Sequence, residues 1–164
     1  MNLAYLIHLL LVPGGHIGSS DMMRGGLFLI GLGTLLQAVQ LLDIPLGLAA
    51  IASGLGIILT VPWVFLWAKR FRGGGYNPVL CILPIIAFPI LSLIFVIIGI
   101  GDIFVEAMSA GMALQGDQAA AQEAMEEVMM AQERRIEITS LVMPIFASLL
   151  ILFGTNSLIK VKRV

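Results

Sequence analysis

The sequence predicts an all-α, polytopic integral membrane protein, with four long transmembrane helices and a short membrane-embedded helix at the N-terminus. Three observations lead there. Hydrophobic residues make up 59% of the 164 positions and charged residues only 12%, about half the charged share usual in soluble domains. Four apolar stretches are each of bilayer length, and the charges are segregated between them. A soluble fold of this size has no core large enough to hide so much apolar surface, so residues 1–164 read as a single membrane domain.

In chain order, residues 3–13 form the first apolar segment, which carries His8 and is short for a crossing; a short spanning helix and a re-entrant helix both fit it. No basic residue precedes it, and Pro13-Gly14-Gly15 follows in place of a small-x-small cleavage site, so it reads as structure and not as a signal peptide. Residues 25–42, 45–68, 78–101 and 138–159 are the expected transmembrane helices. At ~1.5 Å per residue, roughly 20 residues cross the ~30 Å hydrocarbon layer. None of the four contains Asp, Glu, Lys or Arg. Pro62, Pro84 and Pro89 predict kinks, which neighbouring helices can accommodate in lipid.

Charge placement gives an orientation. Arg24 stands before the first long span, Lys69, Arg70 and Arg72 after the second, and Lys160, Lys162 and Arg163 after the last. Alternating sides gathers these on one face, which the positive-inside rule makes cytoplasmic. Asp43 and the acidic segment 102–137 fall on the other face, with Arg134 and Arg135 as the exceptions. The expectation is a multi-pass protein of the cell membrane with a cytoplasmic C-terminus.

Segment 102–137 is expected to be an extracytoplasmic amphipathic helical arm. Ala, Met, Gln and Glu dominate it, Pro is absent, and Asp117 is placed to N-cap a second helical piece. Met108 and Met112 are spaced i, i+4. Met125, Val128, Met129 and Ile136 share a face, with Glu123, Glu126, Glu127 and Glu133 around the remainder. Methionine surfaces suit adaptable contacts, although packing on the protein's own spans or on lipid uses the same pattern. Met108, Met112, Met125, Val128 and Met129 are therefore candidate interaction residues. The small-xxx-small pair Ala50/Gly54 joins them, flanked by Ala49/Ser53 and Ala52/Gly56.

Few residues suggest chemistry. A net charge of −1 provides no basic field for nucleic acid. Cys81 is the only cysteine, which excludes an intrachain disulfide and a paired-cysteine zinc site. The spans lack the ionisable residues that mark proton relays. His8 and His16 lie on one segment with a helix breaker between them, so they do not clamp a haem within one subunit. His16, Ser19, Ser20 and Asp21 include the residue types of a hydrolase triad, but sequence neighbours rarely supply triad geometry. No catalytic set, cofactor or metal is expected. Gln37 and Gln40 are the most polar groups of the first long span. Their ordinary use is bonding between helices, and lining a pore is the alternative.

Leu11-Val12-Pro13-Gly14-Gly15-His16, followed by Arg24-Gly25 and Phe28, resembles a pattern of small bacterial membrane proteins: Pro-Gly-x-Gly-His, a short polar turn, then Arg-Gly opening an apolar helix. More distantly it is similar to the two-helix transmembrane domain family, which carries Gly-x-His-Arg-Phe-Tyr-x-Gly between its helices. Ile17-Gly18 stands here in place of the aromatic pair. The likeness covers residues 11–40. It implies a membrane hairpin with a cytoplasmic turn built on Gly15, His16, Arg24 and Gly25, in which His16 or Arg24 bonds a helix terminus; it implies no activity. The expected function is accordingly non-enzymatic, a subunit or scaffold that assembles with itself or with other membrane proteins in the bilayer. A small oligomeric transport or channel protein is the alternative.

Overall fold

The computed structural model describes residues 2–40, 42, 46–114 and 116–159, and all of its regular elements are helical. Asp43, Lys160, Lys162 and Arg163, used above for orientation, lie outside the described residues. Asn2 caps α1 (Leu3–Leu11), its Oδ1 accepting from the Ala4 N–H at 3.2 Å. Nine residues give a helix of about 13 Å, too short for a complete crossing. Instead α1 packs on α4 and buries Leu9 and Leu10. The Pro13-Gly14-Gly15 break follows, with Gly15 at φ 88°.

Helix α2 (Ser19–Gln40) starts earlier than the expected 25, taking the polar residues 19–24 into its first turns. Ser and Asp are well tolerated there, because a helix start leaves backbone donors for them to satisfy. The expected helix 45–68 is divided into α3 (Leu46–Ile58) and α4 (Thr60–Gly73). Pro62 has no N–H to offer the Ile58 carbonyl four residues back, and its ring crowds that carbonyl. Beyond 68, α4 continues through Lys69, Arg70 and Arg72 until the Gly74 N–H folds back onto the Arg70 and Phe71 carbonyls at 3.1 Å.

A 3-10 turn, Pro78–Cys81, capped by Asn77, leads into α5 (Ile82–Ala113). Its 32 residues correspond to about 48 Å, well beyond the hydrocarbon layer. The segment 102–137 is therefore not a separate element. It comprises the far end of α5, then α6 (Gln118–Ala131), then the start of α7 (Glu133–Leu158). Asp117 Oδ1 caps α6 by accepting from Ala119 and Ala120 at 3.1 and 3.2 Å. Four stretches are long and apolar enough to cross a membrane: Ser19–Val39, Ala50–Gly73, Pro78–Ala113 and Glu133–Leu158.

The helices meet at two levels. At one end, here the basic end, Met22, Leu29, Leu66, Trp67 and Leu152 are completely buried and α2 crosses α7 closely. A Cβ on Gly26 there would stand 2.5 Å from Leu152 Cδ1. At the arm end α5 meets α7, where a Cβ on Gly99 would lie 2.6 Å from Thr139 Cγ2. Arg135 ties the same crossing through a bidentate pair with Asp102 at 2.8 and 3.0 Å and a bond to the Gly99 carbonyl at 3.0 Å. Between these levels α3 packs along α2 and α4, α5 packs along α7 and α6, and α3 and α5 share no extended contact.

Replacing Gly26 with Val forces Leu152 off its position, so thermal unfolding in detergent is expected to show a loss of about 1–3 kcal/mol. Gly31→Ala, at a position where an added Cβ meets nothing within 4 Å, is the control and should unfold at or near the wild-type temperature.

Candidate functional site

The last turns of α4 place Lys69, Arg70 and Arg72 at the meeting point of three other segments. Lys69 and Arg70 are 2% and 1% exposed. Lys69 Nζ donates to the carbonyls of His8 (2.9 Å) and Leu9 (2.6 Å), in the last turn of α1. Arg70 donates through Nε to Asn156 Oδ1 (2.6 Å) and through Nη2 to the backbone carbonyls of Asn156 (3.2 Å) and Ile159, closing α7. Asn156 Nδ2 in turn donates to Ser19 Oγ at 2.8 Å, which ties in the start of α2. Arg72 donates to the carbonyls of Pro13 and Gly15, both at 2.7 Å.

The chemistry is that of helix ends. The last carbonyls of a helix have no intrahelical partner and carry the negative end of its dipole, so a cation placed there supplies donors and a favourable field together. Among the described residues no carboxylate pairs with these three cations. Backbone carbonyls and the Asn156 side-chain oxygen hold Lys69 and Arg70 in the interior, and the cluster acts as a clamp on α1, α2, α7 and the 13–15 turn.

Of the residues expected in a structured turn, Gly15 and His16 lie in it, Arg24 lies on the exposed side of α2, and Gly25 is buried. A Cβ on Gly25 would come 2.9 Å from Leu66 and 3.2 Å from Leu9, so this glycine sets the approach of α2 to α1 and α4. Neither His16 nor Arg24 has a hydrogen bond among the described residues. Arg72 bonds the turn instead. Sequence reasoning used Arg72 only as an orientation mark, and its one available signal was its place in a cluster of three cations ending a helix.

A second feature lies midway along the bundle. A cavity of about 650 Å³ is enclosed by α2, α3, α4, α5 and α7. Its closed side is formed by Leu29, Trp67, Pro84 and Ile151, all buried. Its open side carries Ile57, 75% exposed, opposite Phe88, 38% exposed. These residues belong to α3 and α5, the two helices without extended contact, so the opening faces sideways between them. Among the described residues no Asp, Glu, Lys, Arg or His lines it. Gln37, Thr34, Thr60 and Ser148 are among its polar side chains. Gln37, expected as a pore candidate, is thus part of the wall; the side chain of Gln40 lies outside the described residues.

The arm residues divide. On α6, Met125, Val128 and Met129 are half-buried and face α5, the one helix against which α6 packs extensively. A Cβ on Gly111 would sit 2.9 Å from Met125 Cγ. Met108 and Met112 on α5 point outward, 54% and 56% exposed. On α3, Ala50 is exposed and a Cβ on Gly54 would meet nothing within 4 Å, so that small-residue face is not used within the chain. Among the described residues no His, Cys, Asp and Glu cluster is arranged to hold a metal.

Compared with known proteins, the chain matches no family model, no curated protein and no solved structure.

The clamp makes a graded prediction. Arg70→Met removes three charge-assisted bonds at a buried site, each worth about 1.5–3 kcal/mol net, so it should lower the unfolding temperature in detergent far more than Arg72→Met, whose bonds are exposed. Arg70→Lys should fail to restore stability, because an ammonium lacks the planar fork that reaches Asn156 and Ile159 together.

Proposed function

We propose that this chain is a non-enzymatic membrane subunit, one that assembles with itself or with a larger membrane complex. The observation that carries the reading is the apolar surface at the far end of α5. Counting about 20 residues for the hydrocarbon layer from Ile82, the turns that follow Gly101 stand beyond it. They carry Phe104, Val105, Met108 and Met112, all 47–69% exposed. Exposed apolar side chains are ordinary within lipid. Outside it a contiguous patch of them marks a contact surface, and methionines keep such a surface adaptable. The unused Ala50–Gly54 face of α3 offers a second contact within the bilayer.

The same reading puts the protein in the cell membrane with the basic end, including Arg24 and Arg72, in the cytoplasm and the α5–α6 hairpin outside. The positive-inside tendency supports that orientation. A second reading, a small oligomeric transport or channel protein, draws support from Gln37 in the wall of the cavity.

Three experiments bear on the proposal. The mass of the particle extracted gently from native membranes should exceed that of one chain plus its detergent, and Met108→Glu with Met112→Glu should reduce it; a bare monomer in the wild type would sink the assembly reading. For orientation, Ser109→Cys in a Cys81→Ser background should react with a membrane-impermeant thiol reagent added to intact cells. Labelling only after the cells are opened would reverse the topology. Solute flux in vesicles that is lost in Gln37→Leu would move the transport reading ahead.

A further inference from the structure

We infer that the cavity between α3 and α5 is a binding site for one acyl chain of a membrane lipid, entering from the bilayer with its ester or hydroxyl oxygens held at Gln37. The volume, about 650 Å³, falls in the range of specific ligand sites, about 300–1,000 Å³. It would hold roughly twenty water molecules at ~30 Å³ each. Water is a poor occupant of the inner part, because the closed side is formed by Leu29, Trp67 and Ile151, which offer it few hydrogen bonds. Leaving the space unfilled is also costly, since a void forfeits the dispersion contacts of its lining. The occupant is therefore apolar over most of its length. The opening between α3 and α5 gives it a route from the hydrocarbon layer, with no charged residue among the described residues of the wall.

The polar groups distinguish a lipid from a plain hydrocarbon. Thr34 Oγ1 donates to the Ile30 carbonyl at 2.8 Å and is satisfied within its own helix. Gln37 and Thr60, both exposed, and half-buried Ser148 have no hydrogen-bond partner among the described residues, and the membrane reading on which this inference rests puts them at bilayer depth. Polar groups in such surroundings are costly unless they are bonded, and each can donate to an oxygen. Leu29 and Gln37 lie eight residues apart on α2, about 12 Å at 1.5 Å per residue. Gln37 is near the arm end of its span, and Trp67 lies close to the basic end of α4. That arrangement suits a molecule whose oxygen-bearing group rests at the Gln37 level while its tail runs inward to Trp67.

Trp63 and Trp67 are the only tryptophans in the chain and both line the cavity, which provides a direct reporter. The full-length Trp63→Phe protein, in detergent micelles, would be titrated with phosphatidylcholine brominated along its acyl chains. Bromine quenches only at short range, and Trp67 is 2% exposed, so lipid that merely surrounds the protein reaches it poorly. The expected result is a saturable loss of Trp67 emission. That loss should disappear in a Gly33→Leu, Gly56→Leu variant, which fills the cavity at two positions where an added Cβ meets nothing within 4 Å. An unchanged unfolding temperature of that variant would show that the fold is retained. Quenching that grows without saturation and is equal in the filled variant would overturn the inference, leaving ordinary surrounding lipid. Quenching by acrylamide but not by bromolipid would also overturn it, and would indicate a water-filled path. Quenching by neither agent would do the same, with protein covering the opening.

Discussion

Three cations at the end of α4 hold the ends of α1, α2 and α7, and the bundle depends on that arrangement. Lys69 closes α1, Arg70 closes α7 and, through Asn156, reaches Ser19 at the start of α2, and Arg72 fixes the 13–15 turn between α1 and α2. Backbone carbonyls are suited to this because a helix end offers several at once, together with the negative end of the dipole. In a bundle whose apolar runs carry no charge in their middle, these are the strongest directional bonds available. Association of apolar helices in lipid has no hydrophobic driving force, so close packing and polar bonds decide which helices meet. The buried core accordingly collects at the basic end, around Trp67, Leu66 and Leu152.

Away from the clamp the packing opens. At the arm end one ion pair and one glycine crossing, Arg135 with Asp102 and Gly99 with Thr139, join α5 to α7. Along its apolar length α5 packs chiefly on α7, with much of its remaining surface turned outward. The separation of α3 from α5 follows from this attachment: each follows a different neighbour, and the cavity lies where neither closes on the other. Tight closure at one end and a sideways opening in the middle therefore come from the same distribution of contacts.

Much of this was legible in the residues. The four apolar stretches, the Pro13-Gly14-Gly15 break, the Asp117 cap and the disturbance at Pro62 all follow from local chemistry, and each appears in the structure. The extent of the helices was less accessible. The α2 helix runs further towards its N-terminus and α5 further towards its C-terminus than the apolar runs suggest, because helix formation follows backbone bonding and stops at caps, whereas the end of an apolar run marks only a change of solvent. The turn residues show the same limit. Gly15, His16, Arg24 and Gly25 are near one another in sequence, but Arg72, from a distant helix, makes the bonds.

The sequence by itself determined the elements: a chain this apolar, with charges confined between bilayer-length runs, forms helices long and apolar enough to cross a membrane. Tertiary structure alone decided which cations are buried, which methionines face outward and where the bundle stays open. Met125 and Met108 illustrate the difference. Both sit on amphipathic helices with similar neighbours in sequence, yet one packs on Gly111 and the other is exposed. The periodicity of a helix defines its faces, but which face is covered depends on where a second helix lies, and that is set by contacts between residues far apart in the chain.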